Sequence, residues 1–253
     1  MADPGDSKDG ETRDFGYEEV PPDEHKRRVR DVFDSVAPRY DLMNDLMSGG
    51  VHRLWKAELL RRLRPRAGET LLDVGGGTGD LAFGYLGRGG TRVIVVDMNE
   101  EMLTVGRDRA LDRGIVGGPI WVAGDAENLP LASSSVDAYV TAFCMRNVTR
   151  PAHALAEARR VLRPTGRFFC LEFSRFAIPA LQPVYDLYSF AVLPLMGQIV
   201  AGDAASYRYL AESIRKFPPQ EEFAAMITEA GLSDVRWSNL SGGIAALHSA
   251  RRI

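Results

Sequence analysis

The sequence predicts an α/β fold: a mostly parallel seven-stranded sheet with an antiparallel C-terminal edge and helices on both faces. Three observations carry this. Between residues 70 and 173, short apolar runs alternate with stretches of helical periodicity. The first apolar run ends in a glycine-rich turn, Gly75-Gly76-Gly77-Thr78-Gly79, which opens a helical stretch. The chain closes on two strand-like runs, 235–240 and 243–248, separated by the turn dipeptide Ser241-Gly242.

Taken in order, the elements begin with Val29, Val32, Phe33 and Val36, an apolar stripe at helical spacing that Pro38 ends. A second helical stretch runs from Trp55 to Leu63. Strands are expected at 70–74, 92–96, 119–123, 136–142 and 166–173, with helical periodicity between them, notably over 152–162. Strands alternating with helices imply βαβ units and a parallel sheet covered on both faces. Residues 178–200 form a long apolar and aromatic stretch. Phe223, Met226, Ile227 and Ala230 then make a helical stripe, with Gly231 placed as its C-cap. This organisation is one domain over 25–253, with an N-terminal helical cover at 25–66 and an insertion at 176–217 that caps the substrate. The acidic, polar segment 1–24 has too little apolar surface to offset its ordering entropy and is expected to stay outside the fold.

Composition narrows the function classes. The 253 residues carry a formal net charge of −3, which argues against a nucleic-acid partner. The two cysteines, Cys144 and Cys170, sit in apolar runs and read as reduced core residues. No cluster has metal-ligand spacing, so no metal is expected. With no apolar signal segment after Met1 and an acid-rich start, the expected location is the cytoplasm. The uncharged stretch 187–202 is short and interrupted by Pro194, which speaks against a membrane span.

The strongest chemical signal is Asp73-Val74-Gly75-Gly76-Gly77-Thr78-Gly79-Asp80. Glycines there let the backbone approach a ligand outside the carboxyl ends of the strands. Gly77, Gly79 and Ala82 also satisfy a dinucleotide-binding spacing, and Asp97 at the end of the next strand suits ribose hydroxyls in either case. Asp73 separates the two: an acid at the strand end suits a cationic amino-acid group and opposes a pyrophosphate. The pattern resembles the first motif of Rossmann-like class I methyltransferases, which use S-adenosylmethionine and release S-adenosylhomocysteine. Gly124-Asp125-Ala126 and Arg160-Val161-Leu162-Arg163-Pro164-Thr165-Gly166 are similar to that class as well. The resemblance implies cofactor positions at Asp73, Gly75, Gly77, Thr78, Gly79, Asp97, Met98, Asp125 and Ala126, with Tyr40 and Asp41 folding over as part of the cover.

Further stretches resemble the ubiquinone/menaquinone biosynthesis C-methyltransferases. These are Val32-Phe33-Asp34-Ser35-Val36-Ala37, Tyr40-Asp41-Leu42-Met43-Asn44-Asp45, His52-Arg53-Leu54-Trp55-Lys56, Arg146-Asn147-Val148-Thr149, Leu171-Glu172-Phe173-Ser174, residues 207–215 and residues 243–248. Two positions depart from the family pattern. Ala142-Phe143-Cys144 stands where a Ser-Phe-Gly run is usual, and Arg150 where an aspartate is usual. The resemblance implies methyl transfer to a ring carbon of a lipophilic polyprenyl quinol, with peripheral contact at the inner face of the membrane and a homodimer or biosynthetic complex as further partners. A small-molecule O- or N-methyltransferase and a noncatalytic S-adenosylmethionine-binding protein remain the competing readings.

Carbon methylation of a quinol needs a phenolate, because the deprotonated hydroxyl pushes electrons into the ring. Arg146 is the first candidate to stabilise that oxygen, since a guanidinium stays charged and ill suited to act as a base. Asn147 is placed to orient the same oxygen. His248 is a weaker candidate for the base. Tyr207 and Asp203 are candidates for the quinol pocket, and His52 reads as structural.

Overall fold

A computed structural model of the chain describes residues 11–36, 44, 45, 48–115, 117–174, 198 and 204–253. Tyr40, Asp41, Asp203 and, apart from Gln198, the stretch 187–202 lie outside the described residues.

The N-terminus departs from the expectation. Strands β1 (Arg13–Phe15) and β2 (Glu18–Val20) pair into a small antiparallel hairpin, and helix α1 (Pro22–Val36) starts before residue 25. Mean polarity hid two anchors. Val20 is buried, and the Phe15 ring stacks on that of Tyr209. Pro22 opens α1 with Asp23 and Glu24 in its first turn, a favourable start for a helix.

Helix α2 (His52–Leu63) follows and buries Trp55, Leu59, Leu60 and Leu63. It packs against the sheet and helix α3, so this half of the expected cover is a core element. The central units are β3 (Thr70–Val74), α3 (Asp80–Leu86), β4 (Arg92–Asp97), α4 (Glu100–Asp112), β5 (Ile120–Ala123), β6 (Val136–Ala142), α5 (Pro151–Val161) and β7 (Leu162–Phe173). Then come α6 (Ala204–Lys216), α7 (Gln220–Glu229), β8 (Ser233–Leu240) and β9 (Ala245–Arg251).

The seven-stranded sheet has the order β5-β4-β3-β6-β7-β9-β8. Strands β3 to β7 pair in parallel, and β9 runs antiparallel between β7 and β8. Alternation divides the core. Leu71, Val140 and Leu171 point to the side holding α2 and α3, while Leu72, Tyr139 and Cys170 point to the side holding α5 and α7. Strand β7 begins four residues earlier than expected. A register shift opposite Val136 and Ala138 absorbs Pro164 and Thr165, the latter at φ 67. Residues 241–243 form a 3-10 turn, so β9 begins at Ala245.

Part of the expected insertion is also core. Tyr207, Tyr209, Leu210 and Ile214 bury one face of α6, which contacts α1 and the hairpin. The order of strands places a topological switch between β3 and β6: the chain leaves β3 for β4 on one side and returns through β6 on the other. A crevice outside the carboxyl ends of these strands is the general ligand position of such sheets.

Candidate active site

At that switch point lies a cleft lined by the carboxyl ends of four parallel strands and by one helix, the usual setting for a small-molecule site in such a sheet. The end of β3 supplies Val74, Gly75 and Gly77; the end of β4 supplies Asp97, Met98 and Asn99. Gly124, Asp125 and Ala126 follow β5, and Phe143, Cys144 and Asn147 follow β6. Helix α1 closes the remaining side with Lys26, Val29, Arg30 and Phe33.

The glycine turn is latched to its neighbour strand. The amides of Gly75 and Gly76 donate to the Val96 carbonyl, and the Gly77 amide donates to Asp97 Oδ2 at 2.8 Å. A Cβ on Gly75 would stand 2.3 Å from Cys144 Sγ, and Gly75 holds φ 64, so only glycine fits this close approach of β3 to β6. Asp97 Oδ1 accepts from the Asn99 amide at 2.9 Å. Burial pushes the Asp97 carboxyl up, and the backbone amides of Asn99, Gly77 and Met98 oppose this. Its oxygens retain lone pairs for ribose hydroxyls.

Three of the predicted positions stand behind the cleft wall. Asp73 is buried beneath Gly76, whose Cβ would approach its carboxylate oxygen to 2.9 Å. Neither Asp73 oxygen has a hydrogen-bond partner among the described residues. Burial raises this carboxyl to about 7, against the pull of Lys56. Asp73 therefore does not line the cleft. The Thr78 hydroxyl accepts from Arg109 Nη1 at 2.9 Å and ties the turn to α4. Gly79 leaves room for Trp121, whose ring atom would lie 2.5 Å from an added Cβ. These two positions are explained by packing around the turn.

Arg146 has structural partners that the sequence did not show. It lies in the 3-10 turn Met145–Asn147 after β6, as expected, but its guanidinium points into the core. Nη1 donates to Glu172 Oε1 at 2.7 Å and to the Phe143 carbonyl at 2.7 Å. The guanidinium also lies over the Phe173 ring, 5.3 Å from its centre. Burial raises the Glu172 carboxyl and Arg146 opposes that rise. A cation neutralised this way braces the turn. Asn147 is the member of the pair that reaches the cleft. Its Oδ1 accepts from the Tyr209 hydroxyl at 3.1 Å.

His248 lies on β9 between Phe223 and Trp237, with Nε2 on the Gln220 carbonyl at 3.0 Å. Neither His248 nor these neighbours line the cleft. Tyr207 is buried in the core cluster that also holds Leu210 and Phe173. His52 is buried with Nε2 2.9 Å from Asp45 Oδ1, in a structural setting.

Several site residues escaped the sequence reading. Lys26 Nζ lies 2.7 Å from Asp125 Oδ2 and 3.6 Å from Glu127 Oε2. His25 Nδ1 and Thr149 Oγ1 are 2.8 Å apart. Asn99 Nδ2 donates to Asp34 Oδ1 at 2.6 Å, while its own Oδ1 caps α4 through the Met102 amide. The apolar stripe of α1 signalled a helix facing a core; nothing local showed that its polar residues reach the loops after β4, β5 and β6.

The match to a family model settles the class. It covers residues 22–252 and describes the ubiE/COQ5 methyltransferase family. The chain belongs to the ubiE/COQ5 methyltransferase family. It is an enzyme of the methyltransferase class that uses S-adenosylmethionine. The ubiquinone/menaquinone biosynthesis C-methyltransferase UbiE of Paracoccus denitrificans is 57% identical over 94% of this chain and 96% of its own length. The mitochondrial 2-methoxy-6-polyprenyl-1,4-benzoquinol methylase of Danio rerio is 46% identical over 98% of this chain and 86% of its own. Among solved structures, a possible histamine N-methyltransferase from Thermotoga maritima superposes with a TM-score of 0.63 at 20% identity, over 89% of this chain and 100% of that one. The last likeness bears on the fold alone. The cleft of this family member suits the cofactor: a glycine cradle, a carboxylate at the end of β4, and a mixed apolar and acidic lining at Met98, Asp125 and Ala126.

No helix among the described residues is long and apolar enough to cross a membrane.

Proposed function

We propose that this enzyme methylates a ring carbon of a polyprenylated quinol in ubiquinone and menaquinone synthesis. The reading is carried by one observation: Asn147, a neutral amide donor, shares a cleft with the glycine cradle and Asp97, beside the less polar Phe143 and Cys144. The names borne by the near-full-length relatives support it.

S-adenosylmethionine supplies an electrophilic methyl group on a sulfonium, and S-adenosylhomocysteine is left. Asp97 would hold the ribose, Met98, Asp125 and Ala126 would flank the adenine, and the glycine turn at Gly75 and Gly77 would border the amino-acid end. Asn147 donates to the quinol oxygen as its proton is lost and negative charge grows there. Arg146 serves this indirectly, by fixing the turn that carries Asn147. In that transfer the ring carbon would take the methyl, the carbon–sulfur electron pair would stay with sulfur, and the protons lost from the hydroxyl and the ring carbon would pass to solvent water. Burial pushes the Cys144 thiol up to about 12, so it lines the cleft as a neutral group and does not compete as a nucleophile. Peripheral membrane contact and assembly with a second copy or a biosynthetic complex belong to the same proposal, since a polyprenyl tail keeps the substrate in the bilayer.

The test is anaerobic methyl transfer to short-tailed benzoquinols and naphthoquinols, with the product mapped by NMR. A methyl on ring carbon from the reduced form, and no product from the quinone, is expected. A methyl on oxygen would favour the O-methyltransferase reading, and tight cofactor binding without turnover of either ring would favour a noncatalytic role.

A further inference from the structure

The N-terminal hairpin docks on α6, where the Tyr17 amide donates to Glu212 Oε2 at 3.2 Å. Phe15 lies flat on the Tyr209 ring, with centroids 4.1 Å apart and planes 14° apart. At Gly16, φ is 62 and a Cβ would stand 2.1 Å from Glu212 Oε2. Lys216 Nζ reaches Asp14 Oδ1 at 3.1 Å. The seat is built for this hairpin, and it presses one face of Tyr209.

The other end of Tyr209 points to the cleft wall. Its hydroxyl donates to Asn147 Oδ1 at 3.1 Å, across 62 residues of sequence. Burial pushes the Tyr209 phenol up, so it stays a proton donor at neutral pH. An asparagine amide has an acceptor end and a donor end of nearly equal size on a soft, broad torsion. Its direction is set by partners. Among the described residues, the other side-chain hydrogen bond of Asn147, Nδ2 to the Phe143 carbonyl, is 3.4 Å and weak. Tyr209 is therefore the group that distinguishes the two ends, because an O–H can donate to Oδ1 and leaves Nδ2 with a hydrogen for the cleft.

We propose that Tyr209 is a positioning residue for methyl transfer, holding the Asn147 amide with its nitrogen toward the substrate oxygen, and that the Phe15 hairpin clamps Tyr209 in place. This rests on the reading that Asn147 meets that oxygen. Without the hydroxyl only the weak contact with the Phe143 carbonyl holds the amide, and its flipped orientation sets a carbonyl oxygen against a growing phenolate.

Tyr209→Phe keeps the ring on Phe15 and removes only the donor. Turnover under saturating S-adenosylmethionine is expected to fall by about 10- to 100-fold, the scale of a misplaced catalytic group. The dissociation constant for S-adenosylmethionine is expected to stay within about twofold. In an Asn147→Ala background the same change is expected to cost nothing further, because the two residues act as one unit. Phe15→Ala is expected to lower turnover in the same direction by a smaller factor, and it leaves the hydroxyl in place should Tyr209→Phe fold poorly. If Asn147→Ala is impaired while Tyr209→Phe and Phe15→Ala turn over normally, the positioning role falls and the reading of Asn147 stands. If Asn147→Ala itself turns over normally, that reading falls and this proposal with it. Equal losses from Tyr209→Phe with and without Asn147 overturn the coupling.

Discussion

Arg146 Nη1 and Glu172 Oε1 meet at 2.7 Å with both side chains about 1% exposed, which makes this ion pair a part of the core. Removing one partner of such a pair leaves a bare buried charge, at a cost of about 3–5 kcal/mol. Arg146→Ala should therefore lower the melting temperature sharply. Because the same turn carries Phe143, Cys144 and Asn147 into the cleft, S-adenosylmethionine affinity should fall along with turnover. The double variant Arg146→Met, Glu172→Leu should recover most of the stability and little of the activity. Calorimetry and thermal melts decide the matter: Arg146→Ala with normal melting and normal cofactor affinity but collapsed turnover would return the guanidinium to the substrate.

Asp97 organises both the glycine turn and the start of α4 through the Gly77 and Asn99 amides. Asp97→Ala should weaken S-adenosylmethionine binding by about 1.5–3 kcal/mol, the range for hydrogen bonds to a charged group. Asp97→Asn should lose less. Isothermal titration at fixed pH reads this directly, and unchanged affinity in Asp97→Ala would remove Asp97 from the ribose.

Asp73 gives stability a pH dependence of uncommon sign for an aspartate. Its folded value, about 7, lies above the ordinary carboxyl value of 3.8, so between them the folded state holds a proton that the unfolded state has lost. Stability from this group is present below pH 4 and declines as pH rises toward 7. The buried histidines His25, His52 and His248 act the other way, because burial lowers their values and protonation of the unfolded chain costs stability as pH falls below 6.5. The difference between wild type and Asp73→Asn isolates the carboxyl. The variant should gain on wild type as pH climbs from 4 to 8. Parallel urea-denaturation profiles for the two proteins across that range would contradict the assignment.

His248→Ala tests a residue removed from the chemistry. The ring fills a slot between Phe223 and Trp237 and holds the Gln220 carbonyl. Its loss should destabilise the fold by about 2–4 kcal/mol, as large-to-small core changes do. At temperatures where the variant is folded, its pH–rate profile should overlay that of wild type. A missing limb in that profile would restore His248 as a base.

The sheet was legible because its strands are dense apolar runs between breakers: 70–74 and 136–142 are found at their predicted bounds. The glycine turn and Asp97 were legible for a similar reason, since a strand end fixes where its next residue goes. Side-chain partners were not. Arg146 shows as a charge after a strand, but only the pairing of β6 with β7 brings Glu172 beneath it. Thr78 spells a cofactor motif, yet Arg109, 31 residues on, occupies its hydroxyl. The hairpin at 13–20 was hidden because two apolar anchors, half-buried Phe15 and buried Val20, are too few to lift a polar segment above an average.

Helix α1 is tied to the loops after β4, β5 and β6 that line the cleft: Lys26 at Asp125, Asp34 at Asn99, His25 at Thr149. A wall so attached puts ligand affinity and helix docking into one equilibrium. By reciprocity, whatever factor the docked helix adds to cofactor affinity, the bound cofactor returns as protection of that helix against opening. Amide hydrogens of α1 should then exchange with solvent at a rate set by cofactor concentration, so that the first residues of the domain report on occupancy of a site they precede by some forty positions in the chain.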